Sequence, residues 1–300
     1  MITITDLTKE YGPGKGVFDL SFTVNRGEVF GYLGPNGAGK TTTIRNLLGF
    51  IHPDKGSCTI DGYDCHREGA KIQENLGYLP GEIAFFDAMT GDEFLHLMTE
   101  MRRMKDTTKQ KQLIELFDLD TKSSIRKMSK GTKQKLGLVC AFMHDPDVLI
   151  LDEPTSGLDP LMQNLFVNLI LEEKSRGKTI LMSSHSFEEI EKTCDRAGII
   201  RQGRLVAVEN IQTLKAERRK IYQITFGSEE QAKSFAGDYG DIVEVNGVEV
   251  SAAVSGDVDK LIKILAQFEV VGLDVANLSL EDVFMHYYKR GGTDDQPSAF

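Results

Sequence analysis

The stretch GPNGAGKT, residues 34–41, follows an apolar run and precedes the helix-forming segment TTTIRNLLGF. It fits the pattern GxxxxGK[ST], in which glycines let successive backbone N–H groups and a helix N-terminus face one anion. Lys40 adds a positive charge beside that anion, and Thr41 offers a hydroxyl to a Mg²⁺ ion. Because strand, loop and helix follow in order, a chance glycine-rich turn is the weaker explanation. The predicted phosphate-binding residues are Gly34, Pro35, Asn36, Gly37, Ala38, Gly39, Lys40, Thr41 and Thr42.

A second apolar run, VLILDEP at residues 148–154, ends in two acidic residues. As a buried strand it would place Asp152 at the C-terminal edge of a parallel sheet, where a carboxylate can hold Mg²⁺ beside the phosphates. Glu153, one residue further on, is then the candidate general base for an attacking water. An Asp-Glu pair after a strand is often only a solvated loop. The glycine-rich loop upstream makes that reading the weaker one.

Three further segments follow in order, namely MSKGTKQKLGL from Met128, SGLD at residues 156–159, and LMSSH ending at His185. Together with the two stretches above they resemble the motifs of ABC transporter ATPases, over about the first 210 residues. The resemblance implies that ATP is the nucleotide, that Tyr11 stacks on adenine, and that His185 senses the γ-phosphate. It also implies catalytic roles for Lys40, Glu153 and His185.

The segment from Met128 departs from the family's Leu-Ser-Gly-Gly-Gln signature at its first, third and fifth positions. It keeps Ser129 and Gly131, which the resemblance identifies as the phosphate-facing residues, and Lys130 adds a cation. One glycine-rich loop already satisfies one triphosphate, so a second anion site is expected to serve the ATP of another subunit. Two such subunits, identical or different, would enclose two ATP molecules, with Asp159 at the seam.

Each of these residues also has a simpler structural explanation. Tyr11 could be an ordinary surface aromatic, Ser129 a helix N-cap, Asp159 part of a turn, and His185 a satisfied histidine at a strand end. Taken singly, the simpler explanation is favoured for Tyr11 and His185. The ordered set of motifs reverses that preference.

The stretch GYLPGEIAFF, residues 77–86, lacks the glutamine that the family places after Tyr-Leu-Pro. Gly81 stands at that position, and we hypothesise that Glu82 partly replaces the glutamine as a metal ligand. In this family the permease contacts the chain beside this loop. The aromatic residues nearby suit such a docking groove, but they suit packing inside a helical subdomain equally well; they are Phe85, Phe86 and Phe94.

Charge, hydropathy and cysteine usage narrow the class of protein. A net charge of -10 and a pI near 5.2 argue against a nucleic-acid partner or an anionic membrane surface. No stretch approaches the roughly 18 apolar residues of a spanning helix, and no secretory signal opens the chain. The four scattered cysteines lack a CxxC pair and indicate reduced thiols without a metal site.

The pattern of elements predicts an α/β P-loop NTPase fold of the ABC type. Its parts are a parallel sheet core, an antiparallel β subdomain and an inserted helical subdomain at about residues 88–143. The expected divisions are a nucleotide-binding domain at 1–210, a linker at 211–220, and an α+β accessory domain at 221–290. The accessory domain has a β-α-β-β-α-β pattern that suggests a ferredoxin-like sheet and a final helix capped by Ser279. Residues 291–300 are predicted to be a disordered tail.

The resemblance extends to drug and antibiotic-peptide exporters of the bacitracin and daunorubicin type, because an α/β domain ending in LEDVF follows the cassette. It implies a separate membrane permease and a location on the cytoplasmic face of the cell membrane. The alternatives are an importer ATPase or an ABC-type ATPase that acts on ribosomes or DNA. A GTPase or small-molecule kinase would share the P-loop, but the guanine motif Asn-Lys-x-Asp is missing and the signature would be unexplained.

Overall fold

The computed structural model describes residues 1–216, 220–254 and 258–277, and it contains two compact units. The first unit runs from Met1 to Ile211, and the second begins at Gln212. Within the described ranges, no helix combines the length and the hydropathy that a bilayer-spanning segment needs.

The first unit alternates strands with helices. Its strands are β1 (Ile2–Glu10), β2 (Gly16–Val24), β3 (Val29–Leu33), β4 (Lys55–Ile60), β5 (Tyr63–Asp64), β6 (Leu76–Leu79), β7 (Val148–Asp152), β8 (Thr179–Ser184), β9 (Arg196–Arg201) and β10 (Arg204–Asn210). Its helices are α1 (Lys40–Leu47), α2 (Gly69–Glu74), α3 (Gly91–Met101), α4 (Thr108–Leu116), α5 (Lys130–Phe142), α6 (Pro160–Ser175) and α7 (Phe187–Thr193). Helix α8 (Ile211–Ala216) begins at Ile211, which is the last residue of the first unit.

A mainly parallel sheet forms the centre of this unit, in the order β10-β9-β3-β8-β7-β6. Strand β10 is antiparallel to β9, and the other neighbours are parallel. Strands β3, β7 and β8 are buried along their whole length, as expected of parallel strands covered on both faces. Their carboxyl ends meet at one edge, which confirms the predicted parallel core and brings the segments that follow them together.

A second, antiparallel sheet in the order β2-β1-β4-β5 confirms the predicted β subdomain. Its apolar side chains share one buried cluster with residues of β3 and α1. Phe22 of β2 stacks on Phe30 of β3 with ring centroids 5.2 Å apart, and it also contacts Tyr32. Aromatic packing of this kind adds to the apolar area that holds the two sheets together.

Helices α3, α4 and α5 lie between β6 and β7 in the chain, so the predicted helical insertion is present. Helix α3 begins at a capping box, in which Thr90 Oγ1 accepts from Glu93 N and Glu93 Oε2 accepts from Thr90 N. Lys109 of α4 forms ion pairs with Asp145 at 2.6 Å and with the buried Glu173 of α6 at 2.8 Å. These pairs join the helical layer to the sheet core.

The second unit is a four-stranded antiparallel sheet with helices along one face. Its elements are β11 (Lys220–Phe226), α9 (Glu229–Tyr239), β12 (Ile242–Asn246), β13 (Glu249–Val254), α10 (Asp259–Leu265) and β14 (Val270–Asn277). The strand order is β12-β13-β11-β14, and the hairpin turns at Asn246 and Gly247 as predicted. The ferredoxin-like assignment stays a prediction. The predicted helix from Ser279 and the tail at 291–300 lie outside the described residues.

Candidate active site

The glycine-rich loop leaves the end of β3 and enters α1 at Lys40, as predicted. Gly39 forms the junction with φ of 111°, in the left-handed region that disfavours side chains. A Cβ at Gly39 would also lie 2.6 Å from the Val17 side chain. The loop therefore needs glycine at this position in order to turn its N–H groups toward a phosphate.

The Lys40 side chain is buried and its ammonium group lies across the loop. Nζ donates to the carbonyl oxygens of Gly34 at 2.7 Å and Pro35 at 3.3 Å. It also lies 3.3 Å from Glu153 Oε1. A fixed cation at this point will attract the phosphates of a nucleotide that enters the loop.

Asp152 ends strand β7 and is buried, as the sequence predicts. Its Oδ2 accepts a hydrogen bond from Thr41 Oγ1 at 2.9 Å, and its Oδ1 accepts one from Ser183 Oγ. The fold thus brings together Thr41 and Asp152, the two residues predicted to hold Mg²⁺. A hydroxyl and a carboxylate are hard oxygen donors, so they fit that ion.

Glu153 adopts φ of 50°, a left-handed conformation that costs a non-glycine residue about 1–3 kcal/mol. Its backbone N–H donates to Ser183 Oγ at 3.0 Å, which helps to hold this conformation. Its Oε2 lies 3.1 Å from His185 Nδ1. The predicted base and the predicted γ-phosphate sensor are therefore in contact, and the backbone of Glu153 is strained in a way often found at reactive sites.

Tyr11 lies beside the P-loop at an open cavity of about 310 Å³. The same cavity is lined by residues of the loop, by Thr42 and by Glu153. The Tyr11 ring is 55% exposed, so its face is available for stacking on a base. This placement agrees with the predicted adenine contact.

The signature segment lies apart from that cavity. Ser129 caps α5 by accepting from Thr132 N at 3.1 Å, and Lys130 Nζ donates to Ser156 Oγ at 2.9 Å. A Cβ at Gly131 would lie 2.7 Å from the Gly157 carbonyl oxygen, so glycine is required there. Asp159 caps α6 through Met162 N. The signature therefore packs against the SGLD loop, and Ser129, Lys130 and Gly131 do not line the P-loop cavity of their own chain.

Gly81, which replaces the expected glutamine, lies directly against Asp152. A Cβ at Gly81 would be 3.2 Å from Asp152 Oδ2. Glu82 is exposed and does not line the P-loop cavity, so its role as a metal ligand stays a prediction. Burial and, to a smaller extent, the Asp152 carboxylate together raise the pKa of the nearby Tyr78 to about 12.

Two site residues escaped the sequence-based prediction. Ser183 bonds both Asp152 and Glu153, as described above. Gln134 is buried in α5, and its Nε2 donates to the carbonyl oxygens of Pro154 at 2.8 Å and Glu153 at 3.3 Å. A polar residue inside the apolar half of an amphipathic helix was the available signal, because buried amides need partners.

Comparisons with known proteins agree with this geometry. Residues 17–156 match the sequence profile of the family described as "ABC transporter". The chain is 35% identical to the bacitracin transport ATP-binding protein BcrA of Bacillus licheniformis over 95% of this chain and 96% of that protein. It is 36% identical to the linearmycin resistance ATP-binding protein LnrL of Bacillus subtilis, over 69% of this chain and 68% of that protein.

Solved structures share the fold. An ATP-binding subunit of an ABC transporter superposes with a TM-score of 0.65 and 31% identity, over 71% of this chain and 91% of its own. A dimeric ATP-binding cassette, MJ0796, bound to ADP and phosphate after hydrolysis superposes with a TM-score of 0.63 at 19% identity, over 70% and 99%. The second likeness concerns the fold alone. With the P-loop, Asp152 and Glu153 in place, the chain belongs to the ABC transporter family and is an ATP-binding, ATP-hydrolysing transporter subunit.

Proposed function

We propose that the chain hydrolyses Mg²⁺-ATP at a seam between two ATPase subunits and thereby drives a separate membrane permease that exports a drug or peptide antibiotic. One observation supports the site above all others. The fold brings Lys40, Thr41, Asp152, Glu153 and His185 from three separate stretches of sequence to one edge of the sheet.

The chemistry of each residue follows from its contacts. Lys40 binds and neutralises the phosphates, while Thr41 and Asp152 would hold Mg²⁺, which supplies positive charge beside the β- and γ-phosphates. Glu153 accepts a proton from the attacking water. His185 lies 3.1 Å from the Glu153 carboxylate and restrains it, and we assign to His185 the role of γ-phosphate sensor.

The dimer follows from the signature segment. Ser129 and Gly131 lie at the start of α5, and the residues of that helix start do not line the P-loop cavity of this chain. A helix N-terminus with a hydroxyl is suited to an anion, so we assign it to the ATP of the facing subunit. Two-fold symmetry then gives both subunits the same contact, with Asp159 beside the seam.

Export is supported by the named relatives. One is described as a bacitracin transport protein and another as a linearmycin resistance protein, and both are ATP-binding subunits. We place the chain on the cytoplasmic face of the cell membrane, held there by its permease. The transported substrate class is thus a peptide antibiotic or similar drug.

Purification of the tagged chain from native membranes tests this proposal. An integral membrane permease should copurify in stoichiometric amount, and vesicles that contain the pair should expel a peptide antibiotic only when ATP is supplied. Recovery with ribosomes and without any membrane protein would contradict the proposal. ATP-dependent uptake of the antibiotic in place of efflux would show that the chain serves an importer.

A further inference from the structure

Glu189 is a buried carboxyl group close to the proposed catalytic pair. It lies on α7, one turn after His185, and only 7% of it is exposed. Together with Glu153 and His185 it lines a cavity of about 570 Å³. Glu153 lines both this cavity and the P-loop cavity, so the two spaces adjoin at the predicted base.

One oxygen of Glu189 is bonded to the turn that contains His185. Oε2 accepts from Ser184 Oγ at 2.5 Å, and Ser184 is the last residue of β8, immediately before His185. The Ser184 oxygen in turn accepts from Ser186 N at 2.9 Å. The carboxyl group therefore fixes both ends of the short turn from which the His185 side chain projects.

The Glu189 carboxyl group also lies beside the segment that contains Glu153. Oε1 is buried and has no hydrogen-bond partner among the described residues, while the Thr155 side chain lies beside the carboxyl group. Thr155 is two residues after Glu153. A buried oxygen left unpaired is unfavourable, so a hydrogen bond from the Thr155 hydroxyl to Oε1 would be favourable.

Capping of α7 does not account for this arrangement. The Ser186 hydroxyl already caps the helix by accepting from Glu189 N. In a capping box the Glu189 carboxylate would bond Ser186 N, but here the Ser184 hydroxyl takes that N–H. The carboxyl group is thus free to join the two turns.

We propose that Glu189 is a positioning residue whose carboxyl group, bonded to Ser184 on one side and placed to accept from the Thr155 hydroxyl on the other, keeps Glu153 and His185 in register. The proposal rests on the catalytic roles given above to those two residues. Burial raises the pKa of Glu189, and the Glu153 carboxylate raises it further, against the opposing effects of Ser184, Thr155 and His185. The Thr155 hydroxyl can donate to Oε1, and this bond would complete the connection between the two turns.

The test compares steady-state ATP hydrolysis and ATP binding in four variants. Glu189→Ala should lower kcat on the order of ten- to a hundredfold, because a shift of the reacting groups by about 1 Å is enough for such a loss. The KM for ATP should stay within about twofold. Glu189→Gln should retain most of the activity, because its amide oxygen can accept from Ser184 Oγ and its amide nitrogen can donate to the Thr155 oxygen.

The second pair of variants isolates the contact with Thr155. Thr155→Val removes only the hydroxyl from a partly exposed side chain, so it should lower kcat while the melting temperature stays unchanged. Added to Glu189→Ala it should cause no further loss, since the two residues act through one contact. Glu188→Ala, at the exposed neighbour that pairs with Lys192, is the matched control and should behave as wild type.

Three results would overturn the proposal. The first is a wild-type kcat in Glu189→Ala. The second is a loss of kcat in Glu189→Gln as large as that in Glu189→Ala, which would mean that the negative charge itself is required. The third is full additivity of the losses caused by Glu189→Ala and Thr155→Val. A parallel measurement on Glu153→Gln keeps the two levels distinct. If that variant hydrolyses ATP normally, the catalytic assignment has failed; if it is slow while Glu189→Ala is normal, only the positioning role has failed.

Discussion

At the scale of single residues, Asp152 is enclosed by groups that leave little room around its carboxylate. Thr41 and Ser183 bond its two oxygens, and Gly81 packs against the same side chain. The family's glutamine at the position of Gly81 therefore would not fit here unless the loop or the carboxylate moved. The absence of a side chain at position 81 and the tight packing around Asp152 therefore go together.

Gly81→Ala tests this packing. The added Cβ would lie 3.2 Å from Asp152 Oδ2 and must displace that carboxylate from its present position. Disturbing the groups that position a metal ligand typically lowers metal affinity by about 10- to 100-fold. We therefore expect the Mg²⁺ concentration for half-maximal ATP hydrolysis to rise about tenfold.

Gly237→Ala is the matched control for Gly81→Ala, because a Cβ there meets no atom within 4 Å. An unchanged Mg²⁺ requirement in Gly81→Ala would show that the loop yields freely. If Glu82→Ala also leaves the Mg²⁺ dependence and the hydrolysis rate unchanged, Glu82 is no metal ligand and the loop serves permease coupling alone.

The sequence was sufficient to identify the residues whose chemistry is tied to a motif, such as Lys40, Asp152 and Glu153. It was not sufficient for Ser183 and Gln134. Their contacts with Asp152 and Glu153 depend on which strands and helices become neighbours. Those neighbours are set by tertiary packing, and the one local signal, a polar Gln134 on the apolar side of α5, does not identify its partners.

At the scale of elements, the strand and helix that flank the P-loop and the strand that ends in Asp152 were predicted correctly, as β3, α1 and β7. Strands β1 and β6 were not predicted individually. Strand β1 contains Asp6 at φ of 49° and two register shifts, which interrupt the alternation of buried and exposed residues. Strand β6 has only four residues, too few for a periodic signal.

The contact between α5 and the SGLD loop gives a prediction for the dimer. Gly131→Ala would place a Cβ 2.7 Å from the Gly157 carbonyl oxygen, and backbone atoms cannot yield cheaply. The start of α5 must shift, so ATP-dependent association of two chains should weaken by about 1–3 kcal/mol, the usual cost of overpacking. Sedimentation with ATP and without ATP measures this.

Gly69→Ala serves as the control for Gly131→Ala, because it adds a methyl group to α2 where no atom lies within 4 Å. Association as strong in Gly131→Ala as in the control would show that the start of α5 does not face the second ATP.

At the scale of the whole molecule, stability should depend on His144, which follows α5. Burial and, to a smaller extent, the guanidinium group of Arg102 lower the pKa of His144 to about 4. Its Nε2 lies 3.1 Å from the Leu76 carbonyl oxygen, while Nδ1 is buried without a partner among the described residues. The fold therefore favours the neutral ring.

The sign of the pH effect follows from this preference. In the unfolded chain His144 takes up a proton near its ordinary pKa of 6.5, whereas in the folded chain its ring stays neutral until about pH 4. Stability is thus full above pH 6.5 and falls by about 3 kcal/mol as the pH drops from 6.5 to 4. Urea unfolding of wild type and His144→Gln across this range should show a shallower loss in the variant; parallel curves would contradict it.

The central claim for the whole molecule is that Glu153 serves as the general base in ATP hydrolysis. The most direct test is the rate of ATP hydrolysis by Glu153→Gln at saturating Mg²⁺-ATP, with ATP binding measured on the same protein and Glu172→Gln, an exposed site, as control. Binding should be retained, and hydrolysis should slow on the order of a hundred- to ten-thousand-fold. A rate equal to that of wild type would contradict the assignment.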